Sequence, residues 1–207
     1  MVKIGAGVSA PSAGAGRRPE GARVHVQVST PVAPARRWSV RAVPFDDPAA
    51  AALRDAMSAE MRLRYWDRIG HRSEPHPGMV VTVEDAAWTG LALDEHDRPV
   101  GHVMLRPYPR RWLPVTAPPT VELKRMYVAP SHRGAGVAAG LVRAVDRAAA
   151  ELGAGQVVLQ TGDRQPDAVR LYERLGYHRV PLFEPYLDLT YSHCFAKALA
   201  TGDVTPG

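Results

Sequence analysis

The chain has 207 residues, 45% hydrophobic and 23% charged, which suits one soluble globular domain with a real core, and no apolar run approaches the roughly 18 residues of a membrane span. The formal charge of +5 sits mostly in residues 1–36, where Lys3, Arg17, Arg18, Arg23 and Arg36 face Glu20 alone, so the remainder is nearly neutral and a basic nucleic-acid face is not expected. Cys194 is the sole cysteine, which excludes an internal disulfide and gives secretion no support; a cytoplasmic protein with a buried structural thiol is expected.

Residues 1–36 are rich in Gly, Ala, Pro, Ser and Arg and are expected to be a disordered leader, before a domain over 37–200 and a flexible tail over 201–207. Ile4–Ala10 spells Gly-x-Gly-x-x-Ala, but the required helix would run into Pro11, Gly14, Gly16 and Pro19, so the match is a decoy. A signal peptide lacks its apolar core, and the Arg-rich, acid-poor composition fits an organelle transit peptide only loosely. Val24, Val26 and Val28 alternate as a stray edge strand would.

Trp38–Val43 reads as the first strand of the domain. Pro44–Asp47 is a turn ending in a helix N-cap, with Pro48 at the first helical position. Ala49–Asp67 carries Leu53, Met57, Met61 and Tyr65 at four-residue spacing, an amphipathic helix that could break in two. Gly70–Gly78 is a polar, breaker-rich loop; His71 and His76 within it lack a third ligand nearby, so no metal site is expected. Ala86–Leu93 and Pro99–Arg106 are strands joined by the polar hairpin Asp94–Arg98, and a Pro- and Trp-containing excursion leads to Val121.

The densest stretch follows. Val121–Val128 is a strand, Ala129–His132 a loop, and Arg133-Gly134-Ala135-Gly136 a turn into a helix with Val137, Leu141, Val142, Val145 and Ala149 on one side. A helix start offers unbonded N–H groups and the positive end of the macrodipole, and glycines let a phosphate approach the backbone. A P-loop is excluded because no Gly-x-x-x-x-Gly-Lys-Ser/Thr exists, and a dinucleotide site because the next strand ends in Gln160-Thr161 without an acid. The run Arg133–Ala138 fits the pattern Arg/Gln-x-x-Gly-x-Gly/Ala, and here the chain resembles the GNAT N-acetyltransferase superfamily, whose motif binds the pyrophosphate of acetyl-CoA.

Beyond it come a strand at Val157–Gln160, a helix at Pro166–Leu175 closed by Gly176 as C′ residue, and last strands at Tyr177–Val180 and Tyr186–Lys197. The order β-α-α-β-β-β-α-β-α-β-β matches the GNAT fold, an α/β arrangement with a mixed central sheet of six to seven strands flanked by helices. Ala168–Tyr177 resembles the family segment A-x-x-L-Y-x-x-x-G-F/Y, in which a tyrosine, here Tyr172, faces the sulfur of CoA.

The resemblance implies acetyl transfer from acetyl-CoA to an amine, with Tyr172 protonating the leaving thiolate and no metal. Met126, Tyr127 and Val128 would pair with the pantetheine arm, Arg133, Gly134, Ala135, Gly136, Val137 and Ala138 would hold the pyrophosphate, and Thr161 and Ala168 would complete the cofactor set. Glu122 is the candidate base, with an ion pair to Lys124 two residues on as its alternative reading. His102 is a second candidate base, or a packed strand histidine. The loop between the first two helices would cover the acceptor, for which a small amine is expected over a protein amine or a non-catalytic acyl-CoA-binding module; a homodimer is the assembly considered, with neither nucleic acid nor membrane as partner.

Overall fold

The computed structural model describes residues 38–69 and 74–200. The expected leader, the Val24–Val28 alternation, His71 and the 201–207 tail lie outside these residues. Strand β1 (Trp38–Ala42) leads through a turn to helix α1 (Pro48–Arg64), where Asp47 accepts from the N–H groups of Ala49 and Ala50 at 2.9 and 3.0 Å and Pro48 fills the first helical position. The helix breaks at Tyr65, which turns inward to 5% exposure and accepts from the Arg164 N–H at 3.0 Å. A short α2 (Trp66–Ile69) follows.

β2 (Trp88–Asp94) and β3 (Pro99–Pro107) form the expected hairpin, held at its tip by the Asp94 carboxylate, which accepts from the N–H groups of His96 and Arg98. β4 (Thr120–Val128), α3 (Val137–Glu151), β5 (Gln156–Gly162), α4 (Pro166–Arg174), β6 (His178–Val180) and β7 (Ser192–Ala198) complete the order read from the sequence. Gly176, at φ +84°, ends α4 with the Tyr177 N–H on the Tyr172 carbonyl and its own N–H on that of Glu173. The last strand is shorter than expected. Tyr186–Tyr191 forms successive turns, with Leu189 N–H on Tyr186 O and Ser192 N–H on Leu189 O, because Tyr186 is pulled wholly inside instead of alternating along a sheet.

The seven strands form one mixed sheet in the order β1-β2-β3-β4-β5-β7-β6, in which only β4 and β5 run parallel. α3 lies on one face and buries Val137, Leu141, Val142 and Val145 against Val103, Leu105, Leu123 and Leu159. Burying each such side chain contributes about 1.5–3 kcal/mol. α1 covers the other face through Ala50 and Leu53 against Leu91, Leu93 and Tyr127. β4 alternates between these faces with one irregularity: Met104 pairs with Lys124 but His102 with Tyr127, so β4 holds an extra residue, at Arg125 with φ +55°. Among the described residues no helix is long and apolar enough to cross a membrane.

Candidate active site

β4 and β5 pair only from Thr120–Gln156 to Leu123–Leu159. Beyond that they part, β4 staying with β3 as far as Val128 and β5 with β7 as far as Gly162. The Ala129 N–H donates to the Val100 carbonyl at 2.9 Å, so by strand alternation the N–H and C=O of Val128 turn away from β3 into the opening. An unpaired strand edge therefore borders a gap inside the sheet.

The glycine turn stands at the end of that edge. Gly134 and Gly136 both have φ +81°, with open space where a Cβ would project from Gly134; the backbone conformation, not crowding, calls for glycine there. From Gly134 to Ala139 no backbone N–H meets an acceptor among the described residues, and the first helical bond is Gly140 N–H to Gly136 O at 3.0 Å. Consecutive free amides at the positive end of a helix as long as α3 (Val137–Glu151) make a cradle for an anion. Arg133 ties the turn to β4, its Nε donating to the Val128 carbonyl at 3.0 Å and its Nη2 meeting Glu60 at 2.6 Å. Trp38, which the sequence reading passed over, braces the turn: its indole N–H donates to the Ala135 carbonyl at 3.0 Å and its ring lies on Gly140. An isolated glycine inside a helical pattern was the available signal.

Glu122 sits on the α1 side of β4 with none of its surface exposed. Its Oε2 accepts from Arg106 Nε at 2.8 Å and its Oε1 from the Tyr186 hydroxyl at 2.5 Å, while Lys124 Nζ lies 3.6 Å away. The ion pair with Lys124 anticipated from the sequence thus exists, but it is the loosest of the three contacts. Lys124 Nζ donates to the Tyr186 hydroxyl at 2.7 Å and to the Gly78 carbonyl at 2.9 Å. One carboxylate serves two buried cations, and burial pushes Lys124 down to about 8 against the pull of Glu122. Burial, reinforced by Glu122, keeps the Tyr186 phenol protonated far above its ordinary range. Tyr186 escaped the sequence reading because it was placed in a strand.

Tyr172 belongs to the apolar cluster on the α3 face, with Val128 and Val137, and packs against Tyr177 and Phe195 at centroid distances of 5.8 and 6.1 Å. Burial raises its pKa, and its hydroxyl has no hydrogen-bond partner among the described residues. Met126 and Ala168 pack against the same cluster, and Thr161 lies on β5 past the divergence, 5% exposed. Tyr172, on α4, and Glu122, on β4, therefore belong to opposite faces of the sheet.

His102 is fully buried, with Nδ1 3.0 Å from the Arg125 carbonyl, which can only accept; Nδ1 carries the proton, and Nε2 accepts from Arg54 Nη1 at 3.3 Å. Burial holds the ring down to about 4, so it is a neutral, packed histidine with both nitrogens engaged. His76 caps the Pro77–Met79 turn through the Gly78 N–H and contacts Asp188 at 2.9 Å. Among the described residues no group of three His, Cys, Asp or Glu is placed to hold a metal. Cys194 is buried beside Tyr186 and Leu189, and burial pushes its thiol up to about 11.

Known proteins share this plan. An acetyltransferase of the GNAT family from Staphylococcus aureus superposes with a TM-score of 0.58 at 16% identity, covering 78% of this chain and 99% of that one. The GNAT family N-acetyltransferase YhbS from Escherichia coli, solved in complex with CoA, gives 0.51 at 22% identity, over 82% of this chain and 85% of its own. In sequence, N-acetyltransferase family 8 member 2 of Rattus norvegicus is 41% identical over 71 residues, 32% of this chain and 31% of the relative. An uncharacterized N-acetyltransferase of Schizosaccharomyces pombe is 34% identical over 96 residues, 46% of this chain and 53% of the relative. The chain thus spans about a third of the rat protein's length and about half of the yeast one's. A family model described as acetyltransferase (GNAT) family matches residues 48–177, which takes in the parted strands, the glycine turn and the α4 tyrosine, and the chain belongs to that family.

Proposed function

We propose that the protein transfers an acetyl group from acetyl-CoA to the primary amine of a small molecule by direct attack on the thioester. The observation that carries this reading is the unbroken row of free N–H groups from Gly134 to Ala139 beside the open edge of β4. A pyrophosphate on Gly134–Ala138 sets the pantetheine arm against Met126, Tyr127 and Val128, where it substitutes for the missing strand. The Arg133 guanidinium adds a charge at the turn, and Thr161 and Ala168 line the β5 and α4 side.

With the thioester so placed, the amine nitrogen attacks the carbonyl carbon and the Val128 N–H stabilises the tetrahedral oxyanion. The C–S bond breaks, and the Tyr172 hydroxyl protonates the departing thiolate. An alkyl amine of pKa about 10 must shed a proton first. Glu122 is sealed with both oxygens engaged, so that proton reaches it by way of Lys124 and Tyr186.

Tyr172→Phe tests the chemistry apart from binding, since it keeps the ring and removes the acid. Single-turnover acetylation is expected to slow by roughly 10²–10⁴ with acetyl-CoA affinity unchanged. A folded Phe variant at the wild-type rate would return Tyr172 to packing alone. CoA bound tightly with no thiol released across a wide amine panel would favour a non-catalytic acyl-CoA-binding module.

A further inference from the structure

The α1 side of the sheet holds two guanidinium groups that the fold leaves without acids. Most arginines near the gap are paired: Arg106 with Glu122, Arg133 and Arg64 with Glu60, Arg68 with Asp163, Arg164 with Asp67. Arg54 on α1 and Arg125 on β4 make no ion pair among the described residues. Asp46, Asp47 and Asp55 act on Arg54 only from beyond contact, and Asp47 is spent on capping α1. Both guanidiniums are partly buried, and burial lowers the pKa of each, with Arg54 lowering that of Arg125 further.

Neutral contacts hold the two in place without neutralising them. Arg54 stacks on the Phe45 ring, 4.0 Å from its centroid, and touches His102; the same imidazole bonds to the Arg125 carbonyl and so bridges the two residues. Arg125 Nη2 reaches the Met79 carbonyl, and its Nε is buried with no partner among the described residues. Desolvating a cation without an anion is costly, and a buried donor left unbonded adds to that cost. A ligand anion relieves the first of these costs. Arg125 lies three residues before Val128 on the same strand, roughly 10 Å along it. A small molecule can therefore touch its guanidinium with one end and the thioester with the other.

We infer that Arg54 and Arg125 form a carboxylate-binding subsite, so that the acceptor is an amino acid, whose amine is acetylated while its carboxylate is held. The inference rests on the acetyltransferase reading and names the substrate class at that site. Two guanidinium forks match the planar acceptor geometry of a carboxylate.

The test uses the full chain with acetyl-CoA, read by thiol release, on matched pairs: each standard L-amino acid except cysteine, whose own thiol reacts, with β-alanine and 4-aminobutyrate, beside the corresponding carboxamide. The free acid of at least one pair is expected to exceed its amide about tenfold in kcat/KM, chiefly through KM. Arg54→Gln and Arg125→Gln should each erase that preference while leaving turnover of the carboxamide unchanged; Arg54→Gln, on a solvated helix, keeps the test alive if the strand variant does not fold. Carboxamides used as well as acids, variants that slow both members equally, or no amino acid acetylated by a protein that binds CoA in calorimetry would each overturn the subsite. Absence of CoA binding would instead sink the acetyltransferase reading itself, and the subsite with it.

Discussion

Changing His102 to Gln removes a titration that the fold has displaced. The ring is fully buried and held from its ordinary 6.5 down to about 4, so between those values the folded chain binds fewer protons than the unfolded one. Stability is then complete above the unfolded pKa and is lost as the pH falls toward the folded one. A displacement of that size corresponds to about 3 kcal/mol over the whole window, of which about 2 kcal/mol has gone by about pH 5. The assay is urea unfolding of wild type and His102→Gln at about pH 8 and about pH 5. Carboxylates titrate in both proteins and cancel in the comparison. The variant is expected to be the less stable at the higher pH, through lost bonds to Arg54 and Arg125, and the gap should shrink by about 2 kcal/mol at the lower. A gap of equal size at both would show that the buried ring is not held neutral.

Arg133→Glu puts a carboxylate beside the amides of the glycine turn, where Glu60 already stands 2.6 Å from the arginine it replaces. CoA affinity should fall by about a hundredfold or more with the fold retained, and unchanged calorimetric binding would remove the pyrophosphate assignment. Gly140→Ala builds a Cβ 1.9 Å from the Trp38 ring, which cannot stay on the helix. Thermal unfolding should show a loss of about 1–3 kcal/mol, and CoA affinity should fall with it because the Trp38 bond to the Ala135 carbonyl breaks. An alanine variant with wild-type stability would mean that Trp38 is not packed there.

The glycine turn was legible in the sequence because its requirement is a backbone one: left-handed residues appear as Gly134 and Gly136 in the letters themselves. The element order was legible for a related reason, since the apolar period of α3 and the breakers around it are local. What depends on register was not. Lys124 could be assigned to Glu122 because the two are neighbours on one strand, whereas Arg106, its closer partner, faces it only once β3 and β4 are aligned. Tyr186 was hidden in an apolar segment that reads as strand but folds as turns, and Trp38 contacts a residue about a hundred positions away. The extra residue in β4 shows in the letters only as a step in the apolar alternation, from Val121 and Leu123 to Met126 and Val128, which a reading of one unbroken strand passes over.

That extra residue sets which way the end of the strand faces. Val121 and Leu123 belong to the α3 face and Glu122 and Lys124 to the other, yet past Arg125 it is Met126 and Val128 that rejoin the α3 face and Tyr127 that meets α1. Parity reverses at one position. If Arg125 instead took an ordinary strand position, with the bulge flattened, Tyr127 would swing toward α3, Met126 and Val128 toward α1, and the amide now turned into the gap would point into the β3 ladder, whereas deleting Arg125 would leave all three on their present faces. The left-handed turn at Arg125, rather than the length of β4, therefore sets these faces. Any residue that tolerates a left-handed φ can stand at 125 and keep the strand in phase, and a strand without that place would be in phase as well; what breaks the phase is a residue at 125 that lies flat in the strand.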